Sequence, residues 1–122
     1  MKKTVFITGA TSGIGKATAM LLATKDIRLI ICGRRKERLL KLKEQLETLT
    51  EVYTLNFDVR DKEAVSYAMD SLRDEFGNIA ILINYEGNAH GMDTIEKGSL
   101  ADWDAMLDIN VKGLLYVSKA IL

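Results

Sequence analysis

The stretch Gly9-Ala10-Thr11-Ser12-Gly13-Ile14-Gly15 lies between a short β-branched run and a segment of helical period, and no other feature restricts the fold as much. The run before it, Thr4 to Thr8, reads as a strand; the segment after it reads as a helix. Each glycine has a separate reason to be there. Gly9 permits a tight exit from the strand, Gly13 lets the backbone approach a ligand with no Cβ in the way, and Gly15 allows close packing of helix on strand. The N–H groups that open a helix have no partner within it, so they attract an anion placed before them. Glycines that only turn the chain are the plainer alternative, but strand, turn and helix in this order predict a site for the pyrophosphate of a dinucleotide.

The same alternation of strand and helix continues along the chain, which predicts four βα units and a parallel sheet with helices on both faces. The strands are expected at Thr4 to Thr8, Arg28 to Cys32, Val52 to Asn56 and Ile79 to Ile83. Apolar residues at three- and four-residue spacing give each helix a sheet-facing stripe. These are Ile14, Ala17 and Leu21 in the first, Leu39, Leu42, Leu46 and Leu49 in the second, and Val65, Ala68, Met69, Leu72 and Phe76 in the third. The last helix is expected to start after Ser99 as N-cap. It carries two stripes, Trp103, Leu107, Leu114, Val117 and Ile121 on one side and Leu100, Val111, Leu115 and Leu122 on another. Right-handed crossovers and a phosphate motif in the first turn lead to an α/β fold, a three-layer αβα Rossmann-type half with strand order 3-2-1-4. No linker or repeat divides the chain, so residues 1–122 read as one dinucleotide-binding domain.

Thr8-Gly9 followed by Gly13-Ile14-Gly15 resembles the T-G-x-x-x-G-I-G motif of the classical short-chain dehydrogenases. Further landmarks of that family follow in order: Asp58-Val59 after the third strand, Asn84 and Gly87 after the fourth, and Asn110-Val111-Lys112-Gly113 in the last helix. The resemblance covers the whole chain, and from Trp103 to Leu122 it is most similar to the branch acting on serine, allo-threonine and related 3-hydroxy acids. It implies hydride transfer between a nicotinamide dinucleotide and an alcohol, with Gly9, Thr11, Ser12, Gly13, Ile14 and Gly15 around the phosphates and Asn84 and Gly87 beside the crevice. It also implies that Asp58 bonds the adenine amino group and Val59 adds a backbone contact, although Asp58 could equally cap the helix that begins near Asp61.

The end of the second strand selects the dinucleotide. An NAD site needs a carboxylate there for the ribose hydroxyls, whereas this chain reads Cys32-Gly33-Arg34-Arg35. Two guanidinium groups can pair a 2′-phosphate, so NADP is the expected cofactor; taken alone, Arg34, Arg35 and Lys36 would pass for a solvated helix start.

Family members move the proton with a tyrosine and a lysine four positions after it, aided by a serine and by an asparagine in the preceding helix. The residues four positions after Tyr53, Tyr67, Tyr85 and Tyr116 are Phe57, Ser71, Ala89 and Ala120, so the chain has no such pair. Of the tetrad only Asn110 is matched. It falls between Leu107 and Leu114 on a stripe where an unpaired amide would be costly, and reads either as a retained catalytic residue or as a hydrogen-bonded core asparagine. Catalytic inactivity is the expectation.

The chain departs from the family at Asn84-Tyr85-Glu86-Gly87, where small residues are usual in place of Tyr85 and Glu86. A carboxylate about 6 Å from a cofactor phosphate repels it by roughly 1 to 3 kcal/mol at intermediate dielectric, so cofactor binding is expected to suffer. These changes, and a chain that stops as the family's last helix ends, suggest a truncated and engineered version. The alternative to an NADP-binding fragment is then a self-associating scaffold, dimeric through the fourth-strand edge or the last helix.

Composition excludes other classes. The 17 basic and 17 acidic residues give no field for nucleic acid or an anionic membrane, and Cys32 has no second cysteine to pair with. No stretch has the roughly 18 apolar residues of a membrane span, and the start, Met1-Lys2-Lys3, does not resemble a processing segment. A cytoplasmic location is expected. His90 is the sole histidine and is read as a loop residue, with no metal site; Trp103 is read as core or interface.

Overall fold

The computed structural model describes residues 2–11, 13–72, 76, 78–85 and 94–121. Their elements run β1 (Lys3–Thr8), α1 (Gly13–Ala23), β2 (Ile27–Gly33), α2 (Lys36–Glu47), β3 (Val52–Asn56), α3 (Lys62–Asp70), β4 (Ile79–Asn84), α4 (Leu100–Leu107), a π-helical segment (Asp108–Gly113) and α5 (Leu114–Ile121). The four strands form one sheet in the order β3-β2-β1-β4, all neighbours parallel, as expected.

Successive strand side chains face opposite sides, and this divides the core into two layers. Val5, Ile7, Leu29 and Ile31 face α1 and α2 with Leu39, Leu42 and Leu46, while Phe6, Ile30, Cys32 and Leu55 face α3 and α5 with Val65, Ala68 and Val117. The predicted stripes of α2 and α3 are buried as far as Leu46 and Ala68. Leu49 lies beyond the end of α2 and is exposed; α3 stops at Asp70, so Phe76 reaches the core from outside the helix and packs on Tyr53 at 5.4 Å between ring centres.

Two predicted stripes are corrected. In α1 the sheet-facing residues are Gly15, Ala19 and Ala23, whereas Ile14 and Leu21 are 68% and 62% exposed and Ala17 is also exposed. Small residues at four-residue spacing let α1 settle closely on the sheet, and that close approach outweighs the larger side chains in choosing the buried face. The last helix begins after Ser99 as expected, the Ser99 hydroxyl accepting from the Asp102 N–H at 3.3 Å. Its buried line, however, is Ile109, Gly113 and Val117, while Leu107, Leu114, Leu100, Val111 and Leu115 are exposed. Val117, and Ile121 packed beside it, keep the predicted face, while the wider turns of the π segment bring Ile109 and Gly113 to the core in place of Leu107 and Leu114. Leu122 lies outside the described residues.

Candidate dinucleotide site

The carboxyl ends of the parallel strands bring the glycine turn, Arg34, Asp58 and Asn84 to one edge of the sheet, with the winding reversing between β1 and β4. Gly9 and Gly13 have φ of 62° and 56°, the left-handed region that glycine enters without strain. A Cβ on Gly13 would meet nothing within 4 Å, so open space lies before the turn; a Cβ on Gly15 would lie 2.0 Å from the Gly9 carbonyl oxygen. Gly13 therefore leaves room for a ligand, and Gly15 holds the helix start against the turn. Thr11 and Ile14 flank this space, Thr11 half-buried and Ile14 exposed. Ser12, Gly87 and His90 lie outside the described residues, as does Glu86 with its proposed charge.

A hydrogen-bond chain fixes the junction of β1, β4 and α5. The Thr8 hydroxyl donates to Asn84 Oδ1 at 3.3 Å and accepts from the Tyr85 N–H at 3.2 Å, and Asn84 Nδ2 donates to the Ser118 hydroxyl at 3.4 Å. Thr8 and Ser118 are contributors beyond the residues expected from sequence; the threonine of the T-G-x-x-x-G-I-G motif is the signal for the first, and Ser118 has none. Tyr85 is exposed.

At the end of β2, Thr11 Cγ2 lies 2.7 Å from where a Gly33 Cβ would be, so Gly33 brings the turn and the Arg34 corner into contact. Arg34 and Arg35 are exposed, and Arg35, the N-cap of α2, makes no side-chain cap bond. A cleft of about 390 Å³ between α1 and α2 is lined, among the described residues, by Thr11, Lys16, Arg38, Lys41, Leu42 and Gln45, three of them cations and none a carboxylate. Two of these cations, Lys16 and Arg38, lie in the opening turns of α1 and α2, where positive charge is unfavourable by itself and favours an anion.

Asp58 follows β3. It is not the cap of α3: that is Asp61, whose carboxylate accepts from the N–H groups of Glu63 and Ala64 at 3.1 Å each. Asp58 instead pairs with Arg60, whose Nη2 donates to Oδ2 at 2.6 Å. The Arg60 hydrogen bond holds the Asp58 carboxyl below its ordinary pKa against the opposing effect of partial burial, and the charges of Arg60 and Arg34 add to the lowering. The Asp58 carboxylate raises Arg60 in return, and Asp108 adds to that rise. Val59 is buried, its Cγ2 lying 2.6 Å from where a Gly113 Cβ would stand, so the π segment packs directly on the turn after β3. Asn110 sits in that segment and is exposed, so the burial penalty of an amide on an apolar stripe does not apply to it. Single π turns inside helices are frequent at functional sites.

Among the described residues no helix is long and apolar enough to cross a membrane. Cys32 is buried in β2, and Trp103 is half-buried.

Residues 3–122 match the family model of the short chain dehydrogenases. The chain is 43% identical over 122 residues to sulfoacetaldehyde reductase 2 of Chromohalobacter salexigens, covering 100% of this chain and 48% of that protein. It is 40% identical over 118 residues to the NADP-dependent 3-hydroxy acid dehydrogenase YdfG of Escherichia coli K12, covering 97% of this chain and 47% of that one. The closed form of a serine dehydrogenase complexed with NADP+ superposes with a TM-score of 0.93 at 39% identity, over 98% of this chain and 47% of that chain. The chain thus spans about half the length of the relatives it matches.

Proposed function

The chain belongs to the short-chain dehydrogenase family, and on that premise we propose that it is the NADP-binding Rossmann half of an oxidoreductase acting on a 3-hydroxy acid or similar alcohol. The observation that carries the reading is the glycine turn: open space before Gly13, and helix α1 held against the turn by the fit of Gly15 under Gly9. The turn fits a pyrophosphate, Arg34 and Arg35 fit a 2′-phosphate, and Asp58 fits an adenine amino group. When bound, the dinucleotide supplies a hydride acceptor or donor. The chain's own residues bind and orient it: Thr11 and the N–H groups opening α1 face the phosphates, and the Thr8-Asn84-Ser118 chain fixes the floor between β1 and β4. Asn110, exposed on the π segment, is the family's landmark asparagine and the one residue of its catalytic set found in this chain.

No tyrosine with a lysine four positions on is present in these 122 residues, so the proton transfer of the family has no donor here. Positioned proton transfer typically contributes about 10² to 10⁴-fold. The purified chain with NADPH and a 3-oxo acid should therefore show no steady oxidation at 340 nm. Steady turnover that disappears in Asn110→Ala would contradict this.

A second reading, self-association as a two-fold dimer, is favoured by β4, which is an edge strand among the described residues. Ile81 is 47% exposed there, and Leu107, Val111 and Leu115 expose apolar surface on the last helix. Sedimentation velocity at micromolar concentration should give a dimer that dissociates in Ile81→Lys. A parent sedimenting as a 13.6 kDa monomer would rule the dimer out.

A further inference from the structure

Gly33 closes β2 in register with Asn56, the last residue of β3. Its carbonyl oxygen accepts two hydrogen bonds there, one from the Phe57 N–H at 3.3 Å and a shorter one from Asn56 Nδ2 at 2.8 Å. Both lone pairs of that oxygen are then in use. A Cβ on Gly33 would stand 2.7 Å from Thr11 Cγ2, so the glycine turn lies directly on this residue. The peptide leading from Gly33 into Arg34 is therefore held by β3 at its carbonyl and by the turn at its Cα. It is trans, so the Arg34 N–H points opposite to the held carbonyl, away from β3. The Arg34 side chain makes no hydrogen bond or ion pair among the described residues, and the place of its guanidinium is set by this peptide alone.

We propose that Asn56 is a positioning residue for the choice between dinucleotides: through the Gly33 carbonyl it keeps Arg34 at a fixed place beside the glycine turn. This rests on the dinucleotide reading above. The pyrophosphate and the 2′-phosphate belong to one ligand, so their separation is limited by its covalent frame. Both can be seated at full strength only if the turn and Arg34 are held at a matching separation before the ligand arrives. Thr11 against Gly33 sets one side of that separation, and Asn56 prevents the peptide from rocking on its longer bond to Phe57. NADH has no 2′-phosphate and is indifferent to where Arg34 stands. An asparagine that only closed the end of a strand would affect both dinucleotides alike.

Asn56 is exposed, on a strand that is an edge among the described residues, so its replacement leaves the core in place. The test is calorimetric titration with NADPH and NADH of the parent, Asn56→Ala, Asn56→Leu, and Asn56→Ala added to Arg34→Ala plus Arg35→Ala, taking the ratio of the two dissociation constants within each protein. Leucine keeps the volume of asparagine without the donor, and it decides where the two single variants differ. The parent should prefer NADPH by at least about tenfold, and each single variant should lower that preference by about threefold to tenfold, the scale of one neutral hydrogen bond. The loss should fall on NADPH, with the NADH constant kept within about twofold. In the chain without the two arginines, Asn56→Ala should move the ratio by less than about twofold, because a residue that acts through Arg34 has nothing left to act on. A ratio unchanged or raised in Asn56→Leu overturns the proposal, as does a loss shared equally by NADH or one that persists without the arginines. A parent that binds both dinucleotides equally defeats the arginine assignment and the positioning role but leaves dinucleotide binding standing, while a parent that binds neither defeats all three.

Discussion

Gly15→Ala is expected to destabilise the fold more than any other substitution considered for this chain. The new Cβ would lie 2.0 Å from the Gly9 carbonyl oxygen, 2.8 Å from its carbon and 3.3 Å from the Ala10 Cα, all backbone atoms of the turn itself. No rotamer can relieve such a contact, so α1 must lift from the sheet or the turn must open. Overpacking of this kind costs about 3 kcal/mol or more, which lowers the melting temperature of a domain this size by roughly 10 °C. Gly13→Ala provides the contrast. Its Cβ meets nothing within 4 Å, but φ is 56°, so the expected stability loss is only the left-handed strain, about 1 to 2 kcal/mol. That methyl group would instead occupy the space before the turn and remove dinucleotide affinity. Thermal melts followed by circular dichroism check both substitutions, and Gly15→Ala melting within about 2 °C of the parent would show that the close approach is not needed.

The second large effect concerns the choice between dinucleotides. Arg34 and Arg35 are exposed at the end of β2, where no carboxylate is available for a free ribose, and the cation-lined cleft beside Thr11 adds positive charge nearby. A single charge-assisted bond to a 2′-phosphate is worth about 1.5 to 3 kcal/mol, so NADPH should bind at least about 10 to 100 times more tightly than NADH. Arg34→Ala combined with Arg35→Ala should bring the two affinities to within about threefold of each other, leaving NADH binding unchanged. Calorimetry measures both constants. Equal affinities in the parent, or a preference that survives the double substitution, would exclude the assignment.

Most of the sheet and the glycine turn could be read in advance because their signals are local. Val5, Phe6 and Ile7 are apolar and β-branched or aromatic over one short run, and the roles of Gly9, Gly13 and Gly15 follow from their offsets alone. Packing phase was less legible. The buried face of α1 is chosen by the smallness of Gly15, Ala19 and Ala23, a property that hydrophobic periodicity ignores in favour of Ile14 and Leu21. The last helix misled for a different reason, since a π segment at Asp108–Gly113 shifts the phase and sequence periodicity assumes an unbroken helix. Periodicity therefore does not single out Ile109 as a core residue, and it puts Asn110 on an apolar stripe where the structure leaves it exposed. The Asp58–Arg60 pair is only two residues apart in sequence, yet nothing in a single sequence distinguishes a carboxylate that caps a helix from one held by a neighbouring guanidinium.

Titration of the purified chain with NADPH, followed by fluorescence of the reduced nicotinamide and of Trp103, tests dinucleotide binding most directly. Saturable one-to-one binding that is lost in Gly13→Ala, while that variant still melts cooperatively, is the expected result. A cooperatively folded parent that shows no saturable response up to millimolar NADPH would contradict the assignment of this turn as a dinucleotide site.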